Sequence, residues 1–387
     1  MNLRYLPALA VLSVLFSCDN DDEKASSLRP SIDYNSLKND VAYADQFHNE
    51  NHESTVDLTE GNTLHKMFQG LNYHGTSSIA ANTTLEAQQF IDLFSNSGNP
   101  FIDVSTATIS INGDELNASG QRIEDHVASS LPGSEKALVN EYLYDLFDQI
   151  ELASGSINQE ASKGVAGKIG TYLVDDKGFE LIQVIQKSLI GAYQLDYIGN
   201  VLLDEGLNAD NTKLVAGQNY TALEHNWDIA YGFLTLNPIY LEGATDAVRG
   251  TTEFGAGAYI WEYNKGSYAQ IYGAFLKGRA AIVNNDRAEL ERQADFIRTE
   301  FEKAIANAAL GYLDKWKAGD TEAKRVHAFG EGLGFIYSLR FAKKHDADAE
   351  FSDHVIDHLV GSEFGYWDLT VSKINHAADE IREQFNF

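Results

Sequence analysis

Two histidines, His225 and His327, lie in stretches that echo one another, ALEHNWDIAYGFL over 222–234 and VHAFGEGLGFIYSL over 326–339. Each is followed by an aromatic two positions on (Trp227, Phe329) and by Gly-Phe at plus seven and plus eight (Gly232-Phe233, Gly334-Phe335). Each also has a carboxylate one helical turn away, Asp228 at plus three and Glu331 at plus four. Residues three, four and seven apart share one helix face. Each copy therefore draws a stripe of imidazole, carboxylate and glycine. A histidine and a carboxylate so spaced can present two metal ligands from one helix, as the Glu-x-x-His pairs of di-iron bundles do. If the copies face one another they supply four, and iron, zinc or haem are the candidate ligands. The same spacing also suits a hydrogen-bonded pair that only orients the ring, and both alternatives stay open.

Glycine inside a helix costs roughly 0.5–1 kcal/mol against alanine. Gly232, Gly330 and Gly334 therefore mark close helix crossings or the approach of a ligand. Secondary candidates are Glu224 beside His225, Gln183 and Lys187 one turn apart in an apolar segment, and Lys277 and Arg279 flanking Gly278. Such cations either lay their stems on apolar surface with the charge in water, or turn inward to pair with Asp228 or Glu331 or to meet a carboxylate-bearing ligand such as haem. His354 and His358, also one turn apart, have Asp353 and Asp357 beside them and read as a solvated helix face. No residue is assigned a catalytic role. The sequence has no Gly-x-Ser-x-Gly elbow, Walker loop, His-Glu-x-x-His helix or second cysteine.

The elements that must position these residues are helical. Only five prolines occur in 387 residues, and apolar residues recur at three and four spacing. The pattern predicts helices over 62–73, 84–96, 134–153, 178–204, 218–235, 267–284, 287–317, 321–343, 352–360 and 370–385. N-terminal caps are expected at Ser134, Asp286 and Thr370. Strands are sparse; VSTATISINGDELN over 104–117 suggests a short hairpin turning at Asn112-Gly113. The expected fold is all-α: two duplicated helical bundles, 56–240 and 241–387, with at most that hairpin.

Residues 1–17 join Arg4 to an apolar run from Leu6 to Phe16 and end before Cys18, the single cysteine. They read as a signal peptide, too short to span a bilayer as a mature helix, and resemble a bacterial lipoprotein signal with Cys18 as the lipidated residue. The acidic run Asp19–Glu23 resembles the signal that exports lipoproteins to the outer face of the outer membrane. Residues 18–55 are expected to be an acidic, mostly disordered tether. With 57 acidic against 29 basic residues, a formal charge of −28 repels phosphate and argues against nucleic acid as a partner.

The segments KGFELIQVIQKSLIGA, ALEHNWDIAYGF, FLKGRAAIVNND and HAFGEGLGFIYSLRF, downstream of such a signal, resemble bacteroidete lipoproteins of domain-of-unknown-function family 4856. These are in turn similar to imelysin-like proteins. That likeness implies an exported helical protein of two duplicated bundles associated with iron or haem uptake. The imelysin hallmark sets Gly two before a His and Glu three after it. Here those places hold Leu223 and Asp228 around His225, and Arg325 and Gly330 around His327, with Glu331 one further on; neither copy has it. The expectation is a lipid-anchored, non-enzymatic binding protein on the cell surface, taking iron, haem or a metal-linked nutrient to an outer-membrane transporter. The alternative is a structural or docking lipoprotein whose histidines only knit its helices.

Overall fold

A computed structural model describes residues 28–235, 245 and 253–387. The lipidation site Cys18, the acidic run after it and the expected bundle boundary at 240/241 lie outside these residues. The fold is all-α. Its α-helices among the described residues are α1 (Thr59–Ala80), α2 (Ala87–Ser95), α3 (Gly113–Ala118), α4 (Ile123–His126), α5 (Gly133–Ser154), α6 (Leu181–Leu189), α7 (Ala222–Leu234), α8 (Ala256–Tyr263), α9 (Lys265–Val283), α10 (Arg287–Ala318), α11 (Glu322–Ser338), α12 (Ala349–Val360) and α13 (Val371–Phe385). No helix among the described residues is long and apolar enough to cross a membrane.

Local chemistry explains where many of these helices begin. Asp286 accepts from the Glu289 amide and Thr370 from the Lys373 amide, as expected of caps. Thr221 and Glu224 form a reciprocal capping box at the start of α7. Ser134 does not cap α5, which begins one residue earlier, after Pro132. The hairpin is present, with β1 (Val104–Ser105) antiparallel to β2 (Ser110–Ile111). Asn112-Gly113 is not its turn: the Asn112 side chain caps α3, accepting from the Glu115 amide. A second hairpin, β3 (Gly167–Ile169) with β4 (Tyr172–Val174), was not anticipated; Gly170 at φ 64° allows its tight turn.

Three features of the packing organise the fold. First, the described helices on either side of residue 240 share one continuous core. What repeats is a pair of helices: α1 packs along α7, and α6 along α11. Second, the segment expected to be a disordered tether belongs to the body from residue 28 onward. Tyr43 and Phe47, four residues apart in a polar stretch, are buried, and Tyr43 stacks on Tyr231 of α7 at 4.2 Å. Third, the helix expected over 178–204 changes type at residue 190 and continues as a π-helix over Ile190–Leu202. Ser338 of α11 supplies the cause. Its hydroxyl donates to the Lys187 carbonyl (2.6 Å) and accepts from the Gly191 amide (3.0 Å). A side chain so inserted replaces the i→i−4 bond and shifts the helix register. Only glycine fits there, because a Cβ on Gly191 would lie 2.4 Å from Ser338 Cβ.

Candidate functional site

The two stripes build two related sites, one on each helix pair. In both, the glycine lets the helices touch backbone to side chain. A Cβ on Gly232 would approach the Leu58 carbonyl at the head of α1 to 3.2 Å, and one on Gly61 of α1 would lie 2.5 Å from the Ile229 carbonyl. In the second copy a Cβ on Gly334 would lie 2.6 Å from Lys187 Cβ, and one on Gly330 3.1 Å from Glu180 Cβ. In both, the histidine reaches a glutamate at the head of the paired helix and lies flat on a tyrosine. His225 Nε2 is 3.8 Å from Glu60 Oε2, with its ring stacked on Tyr220. His327 Nδ1 is 2.7 Å from Glu180 Oε2, with its ring stacked on Tyr172 at 4.3 Å and 10°. Burial opposes protonation of both imidazoles, but Glu60 and Glu180 outweigh it and raise both above their ordinary value.

The acid of each stripe has a different partner. Asp228 accepts from Arg279 Nε at 3.0 Å, from the Tyr43 hydroxyl at 2.7 Å and from the Asp57 amide at 3.3 Å. Arg279 is fully buried; it also pairs with Glu224 at 2.6 Å and donates to the Thr55 carbonyl at 2.9 Å. Arg29, from the segment once expected to be a tether, closes on Glu224 from the other side. Burial pushes Asp228 up to about 6 against the pull of Arg279. Burial works against Glu224 too, yet Arg279 and Arg29 prevail and hold it below its ordinary value.

In the second copy the buried cation is Lys187, 2.9 Å from Glu331 Oε1 and steadied by Gln183 at 2.8 Å. Burial would raise Glu331, but Lys187 and His327 hold it down. His327 Nε2 is 3.6 Å from Glu331 Oε2, so here histidine and acid do meet. This corner opens on a cavity of about 380 Å³ that Tyr172, Tyr312, Lys315, Lys324, His327 and Glu331 line.

Each stripe acid is thus paired with its own buried cation, Asp228 with Arg279 and Glu331 with Lys187, and the four stripe residues are not a metal-ligating group among the described residues. An iron site of the kind the imelysin likeness implies does not fit these residues. Among the secondary candidates, Glu224, Gln183, Lys187 and Arg279 belong to the two ion-pair boxes, whereas Lys277 points to solvent. Gly232, Gly330 and Gly334 are close-packing positions rather than points of ligand approach.

Sequence reasoning missed an apolar cleft. Its volume is about 590 Å³, and α5, α6, α11 and α12 form its walls. Leu138, Val139, Leu181, Val184, Leu333 and Ile356 make it apolar, and the rings of Tyr142 and Tyr337 stack at 4.0 Å beside it. Arg340 and Lys343 line the same cleft. The Arg340 guanidinium lies 3.7 Å over the Tyr337 ring and pairs with Asp353; Lys343 donates to Ser130 at 2.9 Å. Leu138 of α5 stands at the cleft wall as an exposed leucine.

Fold and site define a helical protein of woven helix pairs, tied by buried cation–carboxylate boxes and grooved by an apolar cleft with cations in its wall. The chain belongs to the family described as Domain of unknown function (DUF4856), whose model matches residues 42–387. No curated protein and no solved structure matches it.

Proposed function

We propose that this protein is a non-enzymatic binding lipoprotein, anchored through Cys18 to the outer membrane and displayed at the cell surface, that hands its ligand to an outer-membrane transporter. The cleft carries this reading. Ligand sites are typically 300–1,000 Å³, mostly apolar, with a few polar groups to fix orientation. A cleft of about 590 Å³ with two stacked tyrosines and the cations Arg340 and Lys343 suits an apolar molecule bearing carboxylates. Haem is the iron-carrying member of that class among the expected ligands. A second reading, a docking lipoprotein without a small-molecule ligand, is favoured by the closed ion pairs of both stripes.

The test is titration of the untagged chain from residue 19 with haem, metal-free protoporphyrin and ferrous or ferric salts, by absorbance and calorimetry. The cleft reading expects stoichiometric binding of both porphyrins, weakened at least tenfold by Leu138→Glu at the exposed wall and by Lys343→Glu. Iron binding alone, lost in His327→Asn, would move the ligand to the His327 cavity. A folded protein that binds none of these leaves the docking reading.

A further inference from the structure

His354 and His358, set aside in the sequence as a solvated face, gain two partners from the last helix. On α12 they lie one turn apart, and on α13 His376 and Glu380 lie one turn apart. The fold lays these two pairs together. Glu380 Oε1 is 3.0 Å from His354 Nε2, 3.6 Å from His358 Nδ1 and 3.5 Å from His376 Nε2. The imidazole centres of His354 and His358 are 4.1 Å apart, and those of His358 and His376 5.0 Å. Donor atoms of His354, His358 and Glu380 all fall within 4.8 Å of one another. Three imidazoles thus surround one carboxylate oxygen.

We propose that His354, His358, His376 and Glu380 form a binding site for a divalent first-row transition metal of the zinc class, clamping α12 to α13. Three imidazole nitrogens and one carboxylate oxygen are the donor types that zinc accepts at about 2.0–2.2 Å in tetrahedral geometry. The three rings are exposed, so they are open to an ion from solvent and free to close by rotation about their side-chain bonds. Glu380 is the inner member. Its second oxygen, Oε2, is buried and has no hydrogen-bond partner within the protein. Without a cation, three rings compete for one carboxylate oxygen while the other is unused. A dication satisfies all four side chains at once. The strongly negative chain raises the local concentration of such ions. The site shares no residue with either His–acid stripe and stands independently of the cleft reading.

The experiment uses the untagged chain from residue 19, freed of metal by chelator. Zn²⁺ is titrated by calorimetry at pH 7.5 and thermal midpoints are recorded with and without it; Co²⁺ is added as a spectroscopic probe. The proposal expects one high-affinity zinc per chain, a raised midpoint, and the visible absorption of four-coordinate cobalt. His358→Asn, His376→Asn and Glu380→Gln should each weaken zinc at least tenfold, while His327→Asn leaves it unchanged. The three histidines are exposed and Glu380 is half-buried, and unchanged circular dichroism would certify the folds of the variants. Absence of stoichiometric zinc and cobalt binding overturns the proposal. So does binding that survives combined replacement of His354, His358 and His376, or that is lost in His327→Asn.

Discussion

Arg279 is the residue whose removal should be felt most. Its guanidinium is fully buried and lies 2.6 Å from Glu224 and 3.0 Å from Asp228, while also holding the Thr55 carbonyl of the N-terminal segment. Replacing both members of a buried ion pair by apolar groups is often harmless, whereas removing one costs about 3–5 kcal/mol because a charge is left without its partner. In Arg279→Met, Glu224 keeps Arg29 and the Thr221 amide. Asp228 keeps only Tyr43 and the Asp57 amide, and burial already pushes it upward. Most of the loss should therefore come from Asp228. The expected destabilisation is about 3–5 kcal/mol, measured from urea unfolding at pH 7.5 followed by circular dichroism. Adding Asp228→Asn to Arg279→Met removes the stranded charge and should restore about 1–3 kcal/mol, the scale of one buried unsatisfied group. Asp228→Asn alone should destabilise. A loss below about 1 kcal/mol for Arg279→Met, or a double variant no more stable than the single, would refute the claim that this box is an interdependent buried unit.

Two further outcomes follow from the geometry. Glu180 raises His327 above the ordinary histidine value of about 6.5. The folded state thus holds this proton more tightly than the unfolded state, so the contribution is complete below about pH 6.5 and fades as pH rises through the raised value. His327→Gln should flatten that alkaline decline in a stability–pH series, and an unchanged slope would count against the Glu180 contact. Gly278→Ala would set a methyl 2.0 Å from Trp227 Cζ2, a ring whose N–H is fixed on the Phe275 carbonyl at 2.9 Å. Overpacking of this kind costs about 1–3 kcal/mol; a lower urea midpoint with altered tryptophan emission is expected, and an unaltered midpoint would mean that α7 and α9 can separate freely.

Much of this protein was written locally. Periodicity and caps such as Asp286 and Thr370 located most helices to within a few residues, since hydrogen bonds and capping act over four or five positions. The echo of His225 and His327 marked a true repetition, and of the three cations whose direction the sequence left open, Lys187 and Arg279 turn inward and pair with Glu331 and Asp228. What the histidines would meet was not legible. Glu60 and Glu180 lie 165 and 147 positions before their histidines, and nothing in either local stretch points to the other.

Tertiary structure also decided which polar segment would be ordered. Tyr43 and Phe47 look like isolated aromatics in a charged leader until α7 and α9 offer them a place to bury. It converted one helix to a π-helix by inserting Ser338 from 147 positions beyond Gly191. It assembled the cleft from four helices, and it brought His376 and Glu380 of the last helix to the His354–His358 pair that spacing along one helix had already marked. The sequence alone therefore determined the all-α class, the helices, their polarity and their repeated stripe, which depend on neighbours along the chain. The partners, the cleft and the clustered imidazoles depend on contacts between distant positions, and only the packed core brings those positions together.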